Sequence, residues 1–357
     1  MYKLVSLFSG AGFMDIGFVE AGFKIIKGYE LNPEFVRAHN YNFNQHYKEN
    51  ANVEVQDISK VPAKTLPKCH GIIGGPPCQD FSAGNSNDTG VEGDRGKLVW
   101  DFLDKIKVRK PDFFVFENVA TLYKRKKHRT QALEPLLKQF DELGYKTYFK
   151  VLNALDYGIP QDRSRVFIVA FKKKIIRELL KNGLPEYEWP KPIFNDPKKN
   201  IEWPKKNDFG SSFNEGDLIK KLGPYYELTV HSRIGNINEI EKLKNQVGFR
   251  PKSKKFWIID EGDDRRKSFK RLHRFRYSPT VAYGNNEVHL HPTLPRRLTV
   301  RESLRLQSVP DWYHFPEDMT LQSMYKMVSN GVPTELANKI AISVKIVLDN
   351  YFQLKKK

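Results

Sequence analysis

Short apolar runs, rich in β-branched and aromatic residues, recur through the first 171 residues and alternate with longer amphipathic stretches. Residues 4–8, 24–29, 53–55, 71–73, 113–116 and 165–171 read as strands. Stretches 12–21, 33–42 and 131–143 have the length and spacing of helices. Strand–helix alternation predicts an α/β domain of Rossmann-like type with a mostly parallel sheet.

The periodicity then degrades. From about 178 to 293 the chain is rich in Pro, Asn, Lys and aromatic residues, and short irregular strands are the most it predicts. Helical spacing returns at 298–306 and 334–351. We therefore expect a catalytic and cofactor-binding domain over 1–178 and a smaller irregular domain with a hinge over 179–319. A C-terminal segment, 320–357, should return to the first domain. The 357 residues suit two domains, and no internal repeat is visible.

At 39% hydrophobic and 29% charged, the chain has the make-up of a soluble globular protein. No apolar stretch approaches the ~18 residues of a membrane span, and the N-terminus runs directly into a motif, so no signal peptide is expected. Two cysteines, Cys69 and Cys78, make no disulfide framework, which points to a reducing cytoplasm. No Cys/His cluster has zinc spacing, so no metal is expected. His289 and His291 would share one face of a strand and are expected at the surface.

Charge changes the picture. Sixty Lys and Arg against 42 Asp and Glu give a net charge of +18. Between Lys242 and Arg276 stand 13 basic and 4 acidic residues, a net +9. Interleaved with Phe256, Trp257, Phe269, Phe275 and Tyr277, that segment points to nucleic acid. Smaller basic clusters lie at 124–129 and 355–357.

Two motifs carry candidate chemistry. The first, Phe8-Ser-Gly-Ala-Gly-Phe-Met-Asp-Ile-Gly17, follows the first strand and opens a helix. Gly10 and Gly12 permit a tight turn and close approach to a ligand, but Asp15 stands where a dinucleotide fingerprint has its third glycine. Glu30 ends the second strand, where an acid can bind ribose hydroxyls, and Asp57 ends the third. This pattern suits a nucleoside cofactor, and the missing glycine favours an adenosyl ligand without phosphates, such as S-adenosylmethionine. A dehydrogenase would share the fold and Glu30, but has no use for the second motif.

That motif is Gly71-Ile-Ile-Gly-Gly-Pro-Pro-Cys78, at the carboxyl end of the fourth strand, where open α/β sheets place ligands. The two prolines stiffen the turn and present the Cys78 thiol in a fixed direction. Residues 83–96, polar and with four glycines, have the composition of a lid. Glu117 and Asn118 end the fifth strand on the same edge, and Gln161-Asp-Arg-Ser-Arg165 precedes the last. A thiol, a carboxyl group, arginines and an adenosyl cofactor form a coherent reaction set.

These motifs, in this order, resemble those of the DNA (cytosine-5) methyltransferases of prokaryotic restriction–modification systems. The resemblance extends to Arg297-Leu-Thr-Val-Arg-Glu302 and to Asn330-Gly-Val-Pro333, and so covers nearly the whole chain. It implies methyl transfer from S-adenosylmethionine to C5 of a cytosine flipped out of double-stranded DNA at a specific sequence. Cys78 matches the nucleophile that attacks C6, and Glu117 the acid that engages N3 and the exocyclic amine. Arg165 matches the residue that orients the base, supported by Arg163 and Gln161, while Asn118 holds the Pro-Cys loop. Phe8, Gly10, Gly12, Phe13, Glu30, Leu31, Asp57, Ile58, Pro77, Leu98 and Asn330 match the cofactor contacts.

The late motif reads Ser329-Asn330-Gly331-Val332 where the family has Gly-Asn-Ala/Ser-Val, which puts contacts from residue 331 in doubt. Region 179–295 occupies the place of the target-recognition domain. Gln79, Ser82, Arg265, Arg266, Lys267, Thr280 and Asn285 are the candidate DNA contacts, with 278–281 and 289–292 the candidate base-reading segments. A monomer in a prokaryotic cytoplasm, partnered in function by a restriction endonuclease, is implied. The rival within the family is an RNA (tRNA) cytosine-5 methyltransferase, and the long basic insert favours DNA.

Overall fold

The computed structural model describes residues 1–48, 52–77, 97–266, 268–281 and 288–356. Its strands, in chain order, are β1 Tyr2–Leu7, β2 Phe23–Glu30, β3 Val53–Val55, β4 Gly71–Gly74, β5 Phe113–Val119, β6 Tyr145–Asn153, β7 Gln161–Asp162, β8 Ser164–Lys172 and β9 Ser278–Pro279. Seven of them form one sheet in the order β3-β2-β1-β4-β5-β8-β6. Strands β1 to β5 pair in parallel, and β8 lies antiparallel to β5. The α/β class and the mostly parallel sheet are as the sequence predicts.

By contact density the chain divides into two units. The first comprises Met1–Leu152, Ser164–Lys191 and Ala337–Lys357; the second comprises Asn153–Arg163 and Pro192–Leu336. Gln161 and Arg163 thus fall in the second unit, and the boundaries near 191 and 336 lie later than the 178 and 319 read from sequence.

In the first unit, helices α1 (Phe13–Glu20), α2 (Pro33–Tyr47) and α3 (Leu98–Arg109) cover the sheet. The central strand β5 begins Phe113-Phe-Val-Phe116, four residues with no exposed surface, as a strand covered on both faces requires. Each such side chain contributes about 1.5–3 kcal/mol of burial. Helix α2 starts sharply because Asn32 accepts the Glu34 N–H at 3.0 Å and Pro33 occupies the first turn. The long C-terminal helix, from Ala337 onward, belongs to this unit. Asn338 donates to the Gly17 carbonyl at 3.0 Å, and the Tyr2 hydroxyl to Asp349 at 2.8 Å.

The second unit differs from the irregular strands expected of it. Among its described residues, apart from the two-residue pair β7–β9 and isolated bridges such as Asn207 with Glu261, the regular elements are helices, mostly short, among them Glu215–Leu222, Val230–Ile234, Ile237–Ile240 and Lys255–Ile258. Their starts are set locally: Asn214, Thr229 and Asn236 each cap a helix with a side-chain oxygen. The Arg-Leu-Thr-Val-Arg-Glu signature proves to be a capping box. Thr299 and Glu302 bond each other's backbone N–H groups, and Arg296 grips Glu302 through two bonds of 2.8 and 2.7 Å.

Candidate active site

The register of the sheet assembles the first unit's candidate residues. Tyr29 pairs with Leu7, Leu7 with Gly74, and Gly74 with Phe116. Each strand's next residue therefore stands on one edge: Glu30, Phe8, Gly75 and Glu117. Three interstrand steps of ~4.8 Å separate Glu30 from Glu117, about 14 Å in all. That is the carboxyl edge of the parallel strands, and residues distant in sequence meet there for that reason alone.

At one end of the edge is the glycine loop. Gly10 and Gly12 have φ of +57° and +89°, and Phe8 shares the left-handed region at 56°. Glu30 holds this loop, accepting the Gly10 N–H at 3.0 Å and the Asn32 N–H at 2.9 Å. A Cβ on Gly10 would meet nothing within 4 Å, so the space before the loop is open. Beneath it lies a buried polar network. Asp15 accepts from the Ser6 hydroxyl at 2.7 Å and lies 3.0 Å from His39 Nε2. His39 stacks on Phe43, and a Cβ on Gly12 would come within 2.6 Å of its ring. The residue replacing the third fingerprint glycine thus fixes the loop from below.

Asp57 follows β3, where its carboxylate accepts the Ser59 N–H and hydroxyl at 3.1 and 2.7 Å. The Ser59 hydroxyl bond chiefly holds the Asp57 carboxyl below the usual carboxylate range, outweighing the effect of burial. Ile58 is buried, Leu31 is 65% exposed, and Phe8, Pro77 and Leu98 are half-buried. Phe13 opens α1 with its side chain in the core.

At the other end of the edge, Glu117 is buried and ion-paired with Arg165, Oε1 lying 3.1 Å from Nε. Antiparallel pairing of Val119 with Arg165 places the guanidinium there. Gly75 lies against this carboxylate: a Cβ on it would stand 2.7 Å from Glu117 Oε2. Gly74 is required for a different reason, since its Cβ would strike the Leu7 carbonyl oxygen at 2.5 Å. Asn118 donates to the Pro76 carbonyl at 3.2 Å and accepts the Val119 N–H at 2.9 Å. It ties down the turn that leads to Cys78. Cys78, Gln79 and Ser82 themselves, with residues 83–96, lie outside the described residues, as do Lys267 and Asn285. Cys69, the remaining cysteine, is pushed up to about 11 by burial, as befits an unreactive thiol.

In the second unit Arg163 and Gln161 are buried. Gln161 donates to the Leu306 carbonyl at 3.1 Å, and Arg163 Nη2 donates to the carbonyls of Ser329 and Gly331, both at 2.8 Å. Gln307, absent from the sequence-based candidates, adds bonds to Val328 and Gly331 carbonyls at 2.7 and 3.1 Å. Together they brace the turn that carries Asn330. No local pattern could have singled out Gln307, because its partners lie more than 20 residues away. The Thr280 hydroxyl donates to the Asp162 carbonyl at 2.5 Å, in register with the β7–β9 pair.

Two expectations for this unit need correction. His289 and His291 are not at the surface; they are 2% and 3% exposed. Burial lowers them to about 3 and about 4, so both are neutral at pH 7. The basic segment 242–276 is also less outward-facing than its composition implies. Arg271 has no exposed surface and donates to the carbonyls of Phe256, Ile259, His291 and Leu294. Arg274 pairs with Glu261 and Glu215, and Arg276 with Asp264. Phe256 and Phe275 are core residues. Arg265 and Arg266 remain exposed, the latter 2.7 Å from Asp263.

Among the described residues no helix is long and apolar enough to cross a membrane, and no group of three or more His, Cys, Asp or Glu could hold a metal ion.

Residues 2–345 match the family model of the C-5 cytosine-specific DNA methylases. The Type II methyltransferase M.NmeDI of Neisseria meningitidis serogroup C is 38% identical, over 98% of this chain and 85% of its own length. M.FnuDI of Fusobacterium nucleatum is 33% identical over 99% and 97%. Among solved structures, the Schizosaccharomyces pombe Dnmt2 methyltransferase shares the fold, with a TM-score of 0.61 at 16% identity over 98% and 99% of the two chains. With the family model matched almost end to end, the chain belongs to the C-5 cytosine-specific DNA methylases and is a DNA cytosine-5 methyltransferase.

Proposed function

We propose that the chain methylates one cytosine of a specific duplex sequence, using Cys78 as the nucleophile, Glu117 as the acid and S-adenosylmethionine as the donor. The observation that carries this reading is the Glu117–Arg165 pair, seated on Gly75 at the edge where the Pro-Pro turn toward Cys78 begins.

The glycine loop fits an adenosyl ligand. The space before Gly10 is open, and Glu30, at the end of β2, and Asp57, just after the neighbouring β3, are carboxylates each able to accept several hydrogen bonds. Phe8, half-buried just after the end of the adjoining β1, suits stacking on a purine. Bound there, S-adenosylmethionine supplies an electrophilic methyl group. Leu31, Ile58, Pro77 and Leu98 would line its remaining surface, and the Phe13 N–H opens the helix beyond Gly12.

A base within a duplex must be extruded, at a cost of a few kcal/mol. The Cys78 thiolate then adds to C6, its lone pair forming the S–C6 bond, and the C5–C6 π pair is displaced into the ring as Glu117 gives a proton to N3, so C5 becomes the nucleophilic carbon of an enamine. C5 takes the methyl group, leaving S-adenosylhomocysteine; the C5 proton then passes to water, the C5–C6 double bond re-forms with loss of the thiolate, and N3 returns its proton to Glu117. Arg165 keeps Glu117 oriented and can donate to the base O2. Asn118 fixes the Pro76 carbonyl and hence the approach of the thiol. Arg163 and Gln161 act at one remove, through the turns they brace. Arg265, Arg266 and Lys267 would meet phosphates, and Thr280, Asn285, Gln79 and Ser82 the target site. We further infer a monomer acting in a prokaryotic cytoplasm, and an endonuclease of the same specificity beside it, the restriction–modification context being what the Type II names of its relatives support.

The test is methyl transfer from labelled S-adenosylmethionine to duplex DNA and to tRNA. Wild type should label the duplex and be trapped covalently on duplex containing 5-fluorocytosine, because fluorine cannot leave as the C5 proton does. Cys78→Ala should do neither. Turnover by Cys78→Ala, or labelling of tRNA alone, would sink the reading.

A further inference from the structure

The strand that brings Arg165 to Glu117 has a second end, and a cavity opens there. Strand β8 finishes at Lys172, and the pairing of Phe171 with Phe113 sets that end beside the start of β5. Four residue steps along β5 separate Phe113 from Glu117, about 13 Å. The cavity therefore lies at the amino edge of the parallel strands, away from the edge that carries Glu30 and Glu117.

Its volume is about 330 Å³, within the range of small-ligand pockets. Lys110, Lys172, Lys173, Lys174 and Arg177 line it, and the other lining residues, Leu143, Gly144 and Tyr145, carry no charge. Two carboxylates stand close by, and each is already taken. Asp112 pairs with Lys172 at 2.9 Å, and Asp141 with Lys173 at 2.8 Å. Lys110, Lys174 and Arg177 are exposed and form no ion pair among the described residues. Glu178, one turn beyond Lys174 on the same helix, forms none either. Three cations thus share one concave surface without compensation.

Local helix chemistry works against this arrangement. Lys173 and Lys174 open the helix Lys173–Lys181, whose first turn holds no acidic residue and whose N-cap, Lys172, supplies no side-chain bond. A helix N-terminus carries about half a positive charge, so acids are favoured there and lysines are not. The chain follows that rule elsewhere, with Glu34 in the first turn of α2 and Glu215 and Asp217 in that of Glu215–Leu222. The lysine-led helix is nonetheless firmly seated. Ile175, Ile176 and Leu179 are buried, and the Lys173 N–H donates to the Gly144 carbonyl at 2.8 Å. A local preference broken on a fixed element, with no offsetting group from the protein, is a mark of function. An anion in the cavity would meet the three cations and the helix end together.

We propose that this cavity is a second ligand site, which binds the phosphate groups of a small molecule of the pyrophosphate or nucleoside diphosphate type. Arg177 offers a planar fork to two phosphate oxygens, and Lys110 and Lys174 offer point charges. A diphosphate brings two or more negative charges to the three uncompensated cations, where a monophosphate leaves more of them unmet. The site is separate from the place of the flipped base and of the adenosyl cofactor, since it stands at the other end of β5 and β8.

Pyrophosphate, inorganic phosphate and uridine diphosphate are each titrated into the full chain by calorimetry, in phosphate-free buffer at matched ionic strength. Wild type should bind the two diphosphates saturably at one site, and more tightly than inorganic phosphate. Uridine diphosphate binding about tenfold or more tighter than pyrophosphate assigns the site to nucleotides, and equal binding assigns it to free polyphosphate. Lys174→Glu should weaken both by about tenfold or more. Lys64→Glu, the same charge change at an exposed lysine of the same unit, should weaken neither. Thermal unfolding gives an independent readout. Lys174→Glu puts an acid into the first turn, so without ligand it should melt no lower than wild type, yet gain nothing from pyrophosphate. At ten times Kd the ligand favours the folded wild type about 11-fold, which raises Tm by about 2 °C. No saturable binding of either diphosphate by wild type would overturn the proposal, and so would unchanged affinity in Lys174→Glu. A DNA duplex that displaces pyrophosphate, and that loses affinity by the same factor in Lys174→Glu, would also overturn it, since the cavity would then be part of a DNA surface. Each of these failures leaves methyl transfer by the wild type, and with it the reading of the catalytic edge, untouched.

Discussion

Replacing Gly75 with alanine separates the site from the fold. The new Cβ would stand 2.7 Å from Glu117 Oε2, whereas ordinary van der Waals contact begins near 3.4 Å. The carboxylate must therefore retreat by about 0.7 Å or more, and it cannot do so without disturbing its 3.1 Å contact with Arg165. Misplacing a reacting group by about 1 Å costs on the order of 10²-fold in rate. Stability should change little, because the clashing atom ends a side chain rather than belonging to backbone, and Gly→Ala where the backbone tolerates it gains about 0.4–1 kcal/mol. Gly74→Ala is the control. Its Cβ would meet the Leu7 carbonyl oxygen at 2.5 Å, so strand β4 itself must shift, at a cost of about 1–3 kcal/mol. Single-turnover transfer from labelled S-adenosylmethionine, paired with thermal unfolding, reads both quantities. Gly75→Ala should be slow yet stable, and Gly74→Ala unstable. A Gly75→Ala rate within about threefold of wild type would mean that Glu117 has room to move and that its placement over Gly75 is not what the chemistry uses.

Glu117→Gln should lower the single-turnover rate by about 10²–10⁴-fold through loss of the proton source, with cofactor binding measured by calorimetry little changed. His39→Phe leaves buried Asp15 without one partner; we expect weaker cofactor binding through the glycine loop, seen as a larger rise in KM for S-adenosylmethionine than fall in kcat, with partial rescue by His39→Asn. Arg271→Ala strands the buried carbonyls of Phe256, Ile259 and His291 and should destabilise the second unit by about 3 kcal/mol or more, whereas Arg265→Ala should stay within about 0.5 kcal/mol, both checked by urea unfolding. Burial lowers His273, His289 and His291 to about 4, 3 and 4, so the folded protein refuses protons that the unfolded chain takes up near pH 6.5. Stability should be complete above that pH and fall as pH drops toward 4, at up to about 1.4 kcal/mol per pH unit for each histidine, read as the urea midpoint against pH.

Sequence alone determined whatever is local. Alternating apolar runs place β1, β2, β4, β5 and β8 because a strand's burial is written in consecutive residues. The turn chemistry of Gly10, Gly12 and the Pro-Pro pair marks the two motifs for the same reason. Strand β6 escaped this reading: as the outermost strand it leaves much of Tyr145–Asn153 exposed and carries lysines among its aromatics. Tertiary structure decided what depends on partners far along the chain. Lys124 and Arg271 are both basic residues in basic clusters, yet one points into solvent and the other donates to carbonyls 12 to 23 residues away. His289 and His291 read as surface residues and lie in the core. Gly75 looks like a turn former, and only the register of β4 with β5 shows that Glu117 sits on it. The physical reason is that charge and apolarity fix how costly burial is for a side chain, while the neighbours that offset that cost are supplied by chain crossings that no local pattern records.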